Sequence, residues 1–380
     1  MVPQILSNLM AIPESRDGFF SERRIEPMRE ASLDFLKSLI AAPSPSGYEQ
    51  PAARVWRDYV APYAERIEHD LHGNSMAFRA GQGGPRLMFA GHCDELGFMV
   101  YNVDEKGFIY IRTIGGHDIS LIPGRRVILL GTNGPVPGVT GKKAIHLMDA
   151  EERKTVPKLE QIWIDIGSAS REETLEKIAI GDPIIYDTGY QQLTDDLATS
   201  RAFDDKVGAF AVAEALRLLQ GKKLTAEVVS AATVQEEIGL RGAHTSTYSV
   251  DPTVGIAVDV THATDYPQLS NTKYGDTRLG GGPVILRGAN ANPIVVQRLM
   301  EAARAEDIPF QVLAFPRGTG TDANAIQLTR GGVATGLIGI PLRYMHTPSE
   351  VVSLADVENT ARLLAAFAER VEKDADFRPQ

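Results

Sequence analysis

The stretch AEVVSAATVQEEIG, Ala226 to Gly239, decides how this chain is read. Its first eight residues are mostly small or β-branched and apolar, the pattern of a buried strand. Two adjacent carboxylates, Glu236 and Glu237, follow where that strand should end. The same arrangement recurs: RLMFAG (86–91) runs into His92 and Asp94, VGIAV (254–258) into Asp259, and VATGLIGIPLRYM (333–345) into His346. In an open α/β sheet, ligands bind beyond the carboxyl ends of the strands. Residues far apart in sequence would therefore converge on one site.

Outward from these strands the chain alternates with helical segments. DKVGAFAVAEALRLLQ (205–220) and PIVVQRLMEAARAE (293–306) read as helices, and 28–60 carries helical spacing at Leu33, Leu36 and Ile40 before Pro/Ser/Gly punctuation. A last helix opens at Ser353 with Asp356 three residues on, an acidic variant of a capping box, and turns Val357, Ala361, Leu364 and Val371 to one side. Between Phe98 and Leu193 the character changes to short strand-like runs separated by turns, among them FMVYNV, FIYIRTI, RRVILLG, IWIDIG and DPIIYDTG, with VDEKGF closing a hairpin and one helix, REETLEKIA. At 380 residues the chain exceeds the ~250–300 at which single cores stop growing. The expectation is a mixed-sheet α/β/α domain formed by 1–97 and 196–380, interrupted by a small β-rich domain at 98–195.

Composition narrows the function. The net charge of −10, without any Lys/Arg block, argues against nucleic acid as a partner. No apolar run approaches the ~20 residues of a membrane span, so no membrane role is expected. Cys93 is the only cysteine, which excludes an internal disulfide, fits a cytoplasmic protein and reads as a packing residue. Residues 1–27 lack a basic leader or small-residue cleavage site and read as a loosely tied extension or contact arm.

The ionisable residues at the strand ends form a donor set of imidazoles and carboxylates, suited to zinc, cobalt or manganese. A hydrolytic site built from them needs carboxylates for two tasks, holding metal and moving the proton of the attacking water. Asp204-Asp205 opens a helix, where acidic residues also serve as ordinary caps. A lone histidine is more often structural than a ligand. His69, His72, His117, His146, His244 and His262 lack the strand-end pattern and are read as structural.

Taken in order, GHCDELG (91–97), RAFDDKVG (201–208), VQEEIGLRGA (234–243), AVDVTHATD (257–265) and YMHTPSE (344–350) resemble the motifs of the dinuclear metallo-aminopeptidases that include glutamyl aminopeptidase, FrvX-like proteins and tetrahedral (TET) aminopeptidases. The likeness begins at SPSGYE (44–49) and runs to the C-terminal helix. It implies two divalent metal ions per subunit, zinc or cobalt, bridged by Asp204. His92 and Asp259 would complete one metal site, and Glu237 and His346 the other. Glu236 would be the general base, and Asp94 would orient His92. The resemblance also implies a cis peptide between Asp204 and Asp205, peptide substrates, and a PDZ-like insert that joins subunits into dimers and these into a tetrahedral dodecamer. LGGGP (279–283) and PRGTGTDA (316–323), with Gly281, Gly282, Gly320 and Asp322, would line the substrate pocket or serve as ordinary turns. Two other readings compete: an endoglucanase-type glycosidase using paired carboxylates, which leaves His92, His346 and Asp259 without a shared purpose, and a non-catalytic assembly protein, which predicts lost ligands.

Overall fold

The computed structural model describes residues 28–379, so the expected N-terminal extension lies outside the described residues. Eleven strands form one mixed sheet, and at its centre Glu227–Thr233, Arg86–His92, Val254–His262 and Ala334–Arg343 run parallel as neighbours in that order. Their near-continuous apolar character follows from helices covering both faces. Alternate residues divide between two cores: Leu87 and Phe89 pack towards the helices Glu30–Ala41, Gln50–Val60, Phe203–Leu218, Pro293–Ala305 and Leu354–Glu369. Met88 and Ala90 pack towards Arg241–Val250 and Asp322–Gln327. The last long helix starts at its expected cap, with the Asp356 amide donating to the Ser353 side chain, but the Asp356 carboxylate accepts from the Gly280 and Gly282 amides and does not complete the expected box.

Register brings the strand ends level. Thr233 pairs with His92, and Ala257 pairs with Ala90, so Asp259, two residues further on, stands level with His92. The helix Phe203–Leu218 lies close against this edge. A β-carbon on Gly91 would run into the Gly208 and Ala209 backbone, so glycine at 91 lets helix and strand backbones touch beside His92, while a β-carbon on Gly208 would collide with the Asp205 carboxylate. The Asp204-Asp205 peptide that opens the helix is cis, as the family resemblance implies.

The β-rich segment closes into a barrel. Gly97–Val103, Ile109–Ile114, Arg126–Gly131, Gly134–Lys142, Ile162–Asp165 and Pro183–Tyr186 surround their own core, with Phe98, Ile111, Val127, Leu129 and Ile164 buried. The first hairpin turns at 104–107, where the Gly107 amide donates to the Asp104 carbonyl. The chain leaves the barrel after Tyr186, and Gln191–Gln192, inside the 98–195 segment assigned to the insert, pairs with Leu197–Ser200 in the large sheet. The resumed helical rhythm gave no sign of these two short extended pieces, because neither carries an apolar alternation.

A buried ion cluster joins barrel and sheet. Glu95 accepts from Lys206 Nζ at 2.9 Å and pairs with Arg201 Nη1 at 3.2 Å, while Arg201 also donates to the carbonyls of Tyr186 and Ile40. All three side chains are nearly inaccessible to solvent. Removing one partner of such a cluster would leave a buried charge uncompensated.

Candidate active site

The carboxyl edge of the parallel strands collects the residues that the sequence singles out. Asp204 lies between the two histidines: its Oδ1 is 3.3 Å from His92 Nε2 and its Oδ2 is 3.2 Å from His346 Nε2. Asp259 Oδ1 and Glu236 Oε2 lie 4.0 and 3.9 Å from His92 Nε2, and Glu237 Oε1 lies 3.5 Å from His346 Nε2. His92, Asp204 and Glu237 each offer a ligand atom within 4.8 Å of the others, and His92, Glu236 and Asp259 do the same. His92 thus belongs to both groups, and Glu236, expected from the family resemblance to be the base, lies within ligand range.

Asp94 is fully buried and serves four neighbours. Its Oδ1 lies 3.3 Å from His92 Nδ1 and accepts from the Glu236 amide at 3.0 Å, while its Oδ2 accepts from the Glu237 amide and from Ser46 Oγ. Asp205 points away from its neighbour Asp204 and accepts from the His92 and Gly208 amides, both at 3.1 Å. The acidic pair therefore splits, with Asp205 capping the helix and Asp204 facing the site.

Glu350 was not singled out from sequence. Buried at the start of Glu350–Ser353, it accepts from the His346 amide at 3.0 Å and from the Asp204 amide at 3.1 Å, and so ties two of the clustered residues together. The available signal was its place as the last residue of MHTPSE, four after His346. The barrel also reaches the site: a β-carbon on Gly115 would lie 3.5 Å from Glu237 Oε2, and one on Gly116 3.5 Å from His346 Nδ1.

The proposed pocket loops fare differently from one another. The Gly280 and Gly282 amides donate to Asp356, and Gly281 packs on Gln311, so this loop hangs from the last helix. Gly320 is exposed and faces open space. Asp322 is buried, accepts from Thr233 Oγ1 at 2.5 Å and adds negative charge beside Glu236 and Asp259.

Protonation reflects this crowding. Burial, then the charges of Asp259, Asp322 and Glu237, pushes Glu236 up to about 11 against the pull of His92. Burial and the Asp204 charge raise Glu237 and Asp259 to about 8 each. Burial works against protonation of His346, but Asp204 and Glu237 hold it at about 9. His92 is likewise well above its ordinary value: burial opposes the rise, and Asp94, Glu236 and Asp204 outweigh it. More carboxylate is gathered here than two imidazoles balance. Glu237 Oε1 is buried without a hydrogen-bond partner. An orphaned acceptor, a carboxylate presenting its two oxygens to two imidazoles, and an all-N/O donor set fit divalent cations.

The large α/β sheet thus carries a candidate metal-binding cluster at its strand ends, with a β-barrel inserted beside it. The profile of the M42 glutamyl aminopeptidase family matches residues 73–363. Lysyl aminopeptidase of Pyrococcus furiosus is 36% identical over 349 residues, spanning 91% of this chain and 99% of that protein. Among solved structures, a TET aminopeptidase from a marine-sediment Thaumarchaeota archaeon superposes with a TM-score of 0.87 at 33% identity, covering 90% of this chain and 97% of the other. The TET1 peptidase of Pyrococcus horikoshii gives 0.80 at 29% identity, covering 89% and 99%. The chain belongs to the M42 glutamyl aminopeptidase family and is a metal-dependent aminopeptidase.

Proposed function

We propose that the protein removes N-terminal residues from short peptides at a centre holding two divalent cations, zinc or cobalt, with Glu236 as the general base. The observation that carries this reading is Asp204, whose two carboxylate oxygens face two different imidazoles at 3.3 and 3.2 Å. In it, Asp204 would be shared between the two cations, His92 and Asp259 would hold one, and Glu237 and His346 would hold the other. Cations held there supply Lewis acidity that polarises the scissile carbonyl and acidifies water. Divalent charge in the site would offset the burial and carboxylate repulsion that keep Glu236 protonated without it, and the ionised Glu236 would take a proton from the attacking water as the C–O bond forms and deliver it to the leaving amine nitrogen as the C–N bond breaks. Asp94 keeps the His92 ring oriented through Nδ1. The glycosidase reading leaves the two histidines interleaved among the carboxylates without a task.

The same reading includes self-assembly, through dimers, into a closed shell with the tetrahedral dodecamer as the expected form, and work in the cytoplasm. It is supported by the P. horikoshii TET1 relative, which can assemble into a tetrahedron or a large octahedral shell. Among the described residues no helix is long and apolar enough to cross a membrane.

The test compares free and N-acetylated aminoacyl and dipeptidyl amides. Turnover is expected only with a free N-terminus, to vanish on exhaustive chelation and to return with zinc or cobalt. Turnover that survives complete metal removal sinks the two-cation reading, and equal cleavage of acetylated substrates sinks the aminopeptidase specificity.

A further inference from the structure

Beyond Thr233 the chain leaves the sheet ladder, and four consecutive amides donate to side chains instead of backbone. Val234 N reaches Asn74 Oδ1 at 3.1 Å, Gln235 N reaches Glu49 Oε1 at 3.1 Å, Glu236 N reaches Asp94 Oδ1 at 3.0 Å, and Glu237 N reaches Asp94 Oδ2 at 3.2 Å. Three acceptors from three separate segments thus fix the peptide that carries both functional glutamates. Gln235 sits at φ +55°, a left-handed conformation that a non-glycine residue keeps only when its surroundings hold it. Glu49 supplies the hydrogen bond at that residue. It is 3% exposed, and the same Oε1 accepts from the Gly47 amide at 2.6 Å, so its oxygen is held in place before it meets Gln235.

We propose that Glu49 is a positioning residue for the hydrolytic reaction: its hydrogen bond to Gln235 holds the left-handed turn that aims the Glu236 carboxylate. Asp94 also contacts His92, so changing it disturbs a metal ligand. Glu49 hydrogen-bonds this peptide at the Gln235 amide, one residue before the base, and its loss should move the base without emptying the metal site. The proposal rests on the reading of Glu236 as the base.

Glu49→Ala, Glu49→Gln and Glu236→Gln are compared with wild type in the metal-loaded protein, reading kcat, KM, metal per subunit and thermal midpoint. Glu49→Ala is expected to lower kcat by about 10- to 100-fold with KM and metal content unchanged. Glu49→Gln, which retains an acceptor at Oε1, is expected to recover most of that loss. Should Glu49→Ala not fold, Glu49→Asp, which withdraws the oxygen but keeps the charge, takes its place. Unchanged kcat in the Ala or Asp variant overturns the positioning role. So does an equal loss in Glu49→Gln, or a loss of metal that matches the loss of kcat. Wild-type turnover in Glu236→Gln would overturn the base assignment instead, which separates the two failures.

Discussion

Glu236 and Glu237 are adjacent, yet they face different atoms and their removal should fail in different ways. Glu237 Oε1 is buried without a hydrogen-bond partner and lies beside His346, so Glu237→Ala should lower metal occupancy first and activity as a consequence. Glu236→Gln is nearly isosteric and should retain metal while kcat falls by about 10²–10⁴-fold, the usual worth of a positioned base. Metal analysis of each purified variant beside its kcat is the measurement. Metal-free Glu236→Gln or fully loaded, inactive Glu237→Ala would reverse the roles. The clustered residues were legible in sequence because each ends a buried strand or opens a helix at the same sheet edge. Glu350, Asp205 and Glu49 were not, because they act on backbone amides and a hydrogen bond to an amide leaves no pattern in spacing. Asp205 was visible only as half of an acidic pair whose two members the fold turns to opposite tasks.

At the scale of elements, the active edge depends on how closely Phe203–Leu218 lies on Arg86–His92. A methyl group at residue 91 would meet the Gly208 carbonyl carbon at 2.4 Å, and backbone cannot rotate away as a side chain can. Gly91→Ala is therefore expected to cost about 1–3 kcal/mol and to reduce activity by shifting Asp204 relative to His92. Gly331→Ala, where a β-carbon meets nothing within 4 Å, should stay within about 0.5 kcal/mol of wild type. Denaturant midpoints of the two variants decide it, and equal midpoints would show that the helix can retreat freely. The strands and helices that carry this edge were readable from β-branched runs and helical periodicity. The helix Arg241–Val250 was not, since RGAHTSTYSV is rich in Gly, Ser and Thr and helical only through its packing. Arg66–His69 was also missed, because RIEH is a largely exposed edge strand with no alternation to read.

At the scale of the molecule, the barrel does two things that its apolar strands alone do not announce. It places Gly115 and Gly116 against Glu237 and His346, and it carries a long excursion, residues 143–161, between Gly134–Lys142 and Ile162–Asp165. Such an excursion is long for a barrel connection, and three 3-10 turns, Ile145–Leu147, Glu152–Lys154 and Leu159–Gln161, shape it. It exposes Ile145, Leu147 and Val156, and Leu147 is 73% exposed. Burying a side chain of this kind is worth about 1.5–3 kcal/mol, so a few repeated at a symmetric contact can hold two copies together. If this surface joins subunits, the double substitution Ile145→Asp and Leu147→Asp places like charges in the contact and should break the assembly into smaller species. The folded chain should survive, because both positions lie outside the barrel core. Light scattering coupled to size-exclusion chromatography reads the mass, and far-UV circular dichroism checks the fold. A wild-type protein that is already monomeric would remove the self-assembly reading altogether. A large wild-type particle whose mass the double variant leaves unchanged would keep that reading and move the contact elsewhere on the chain.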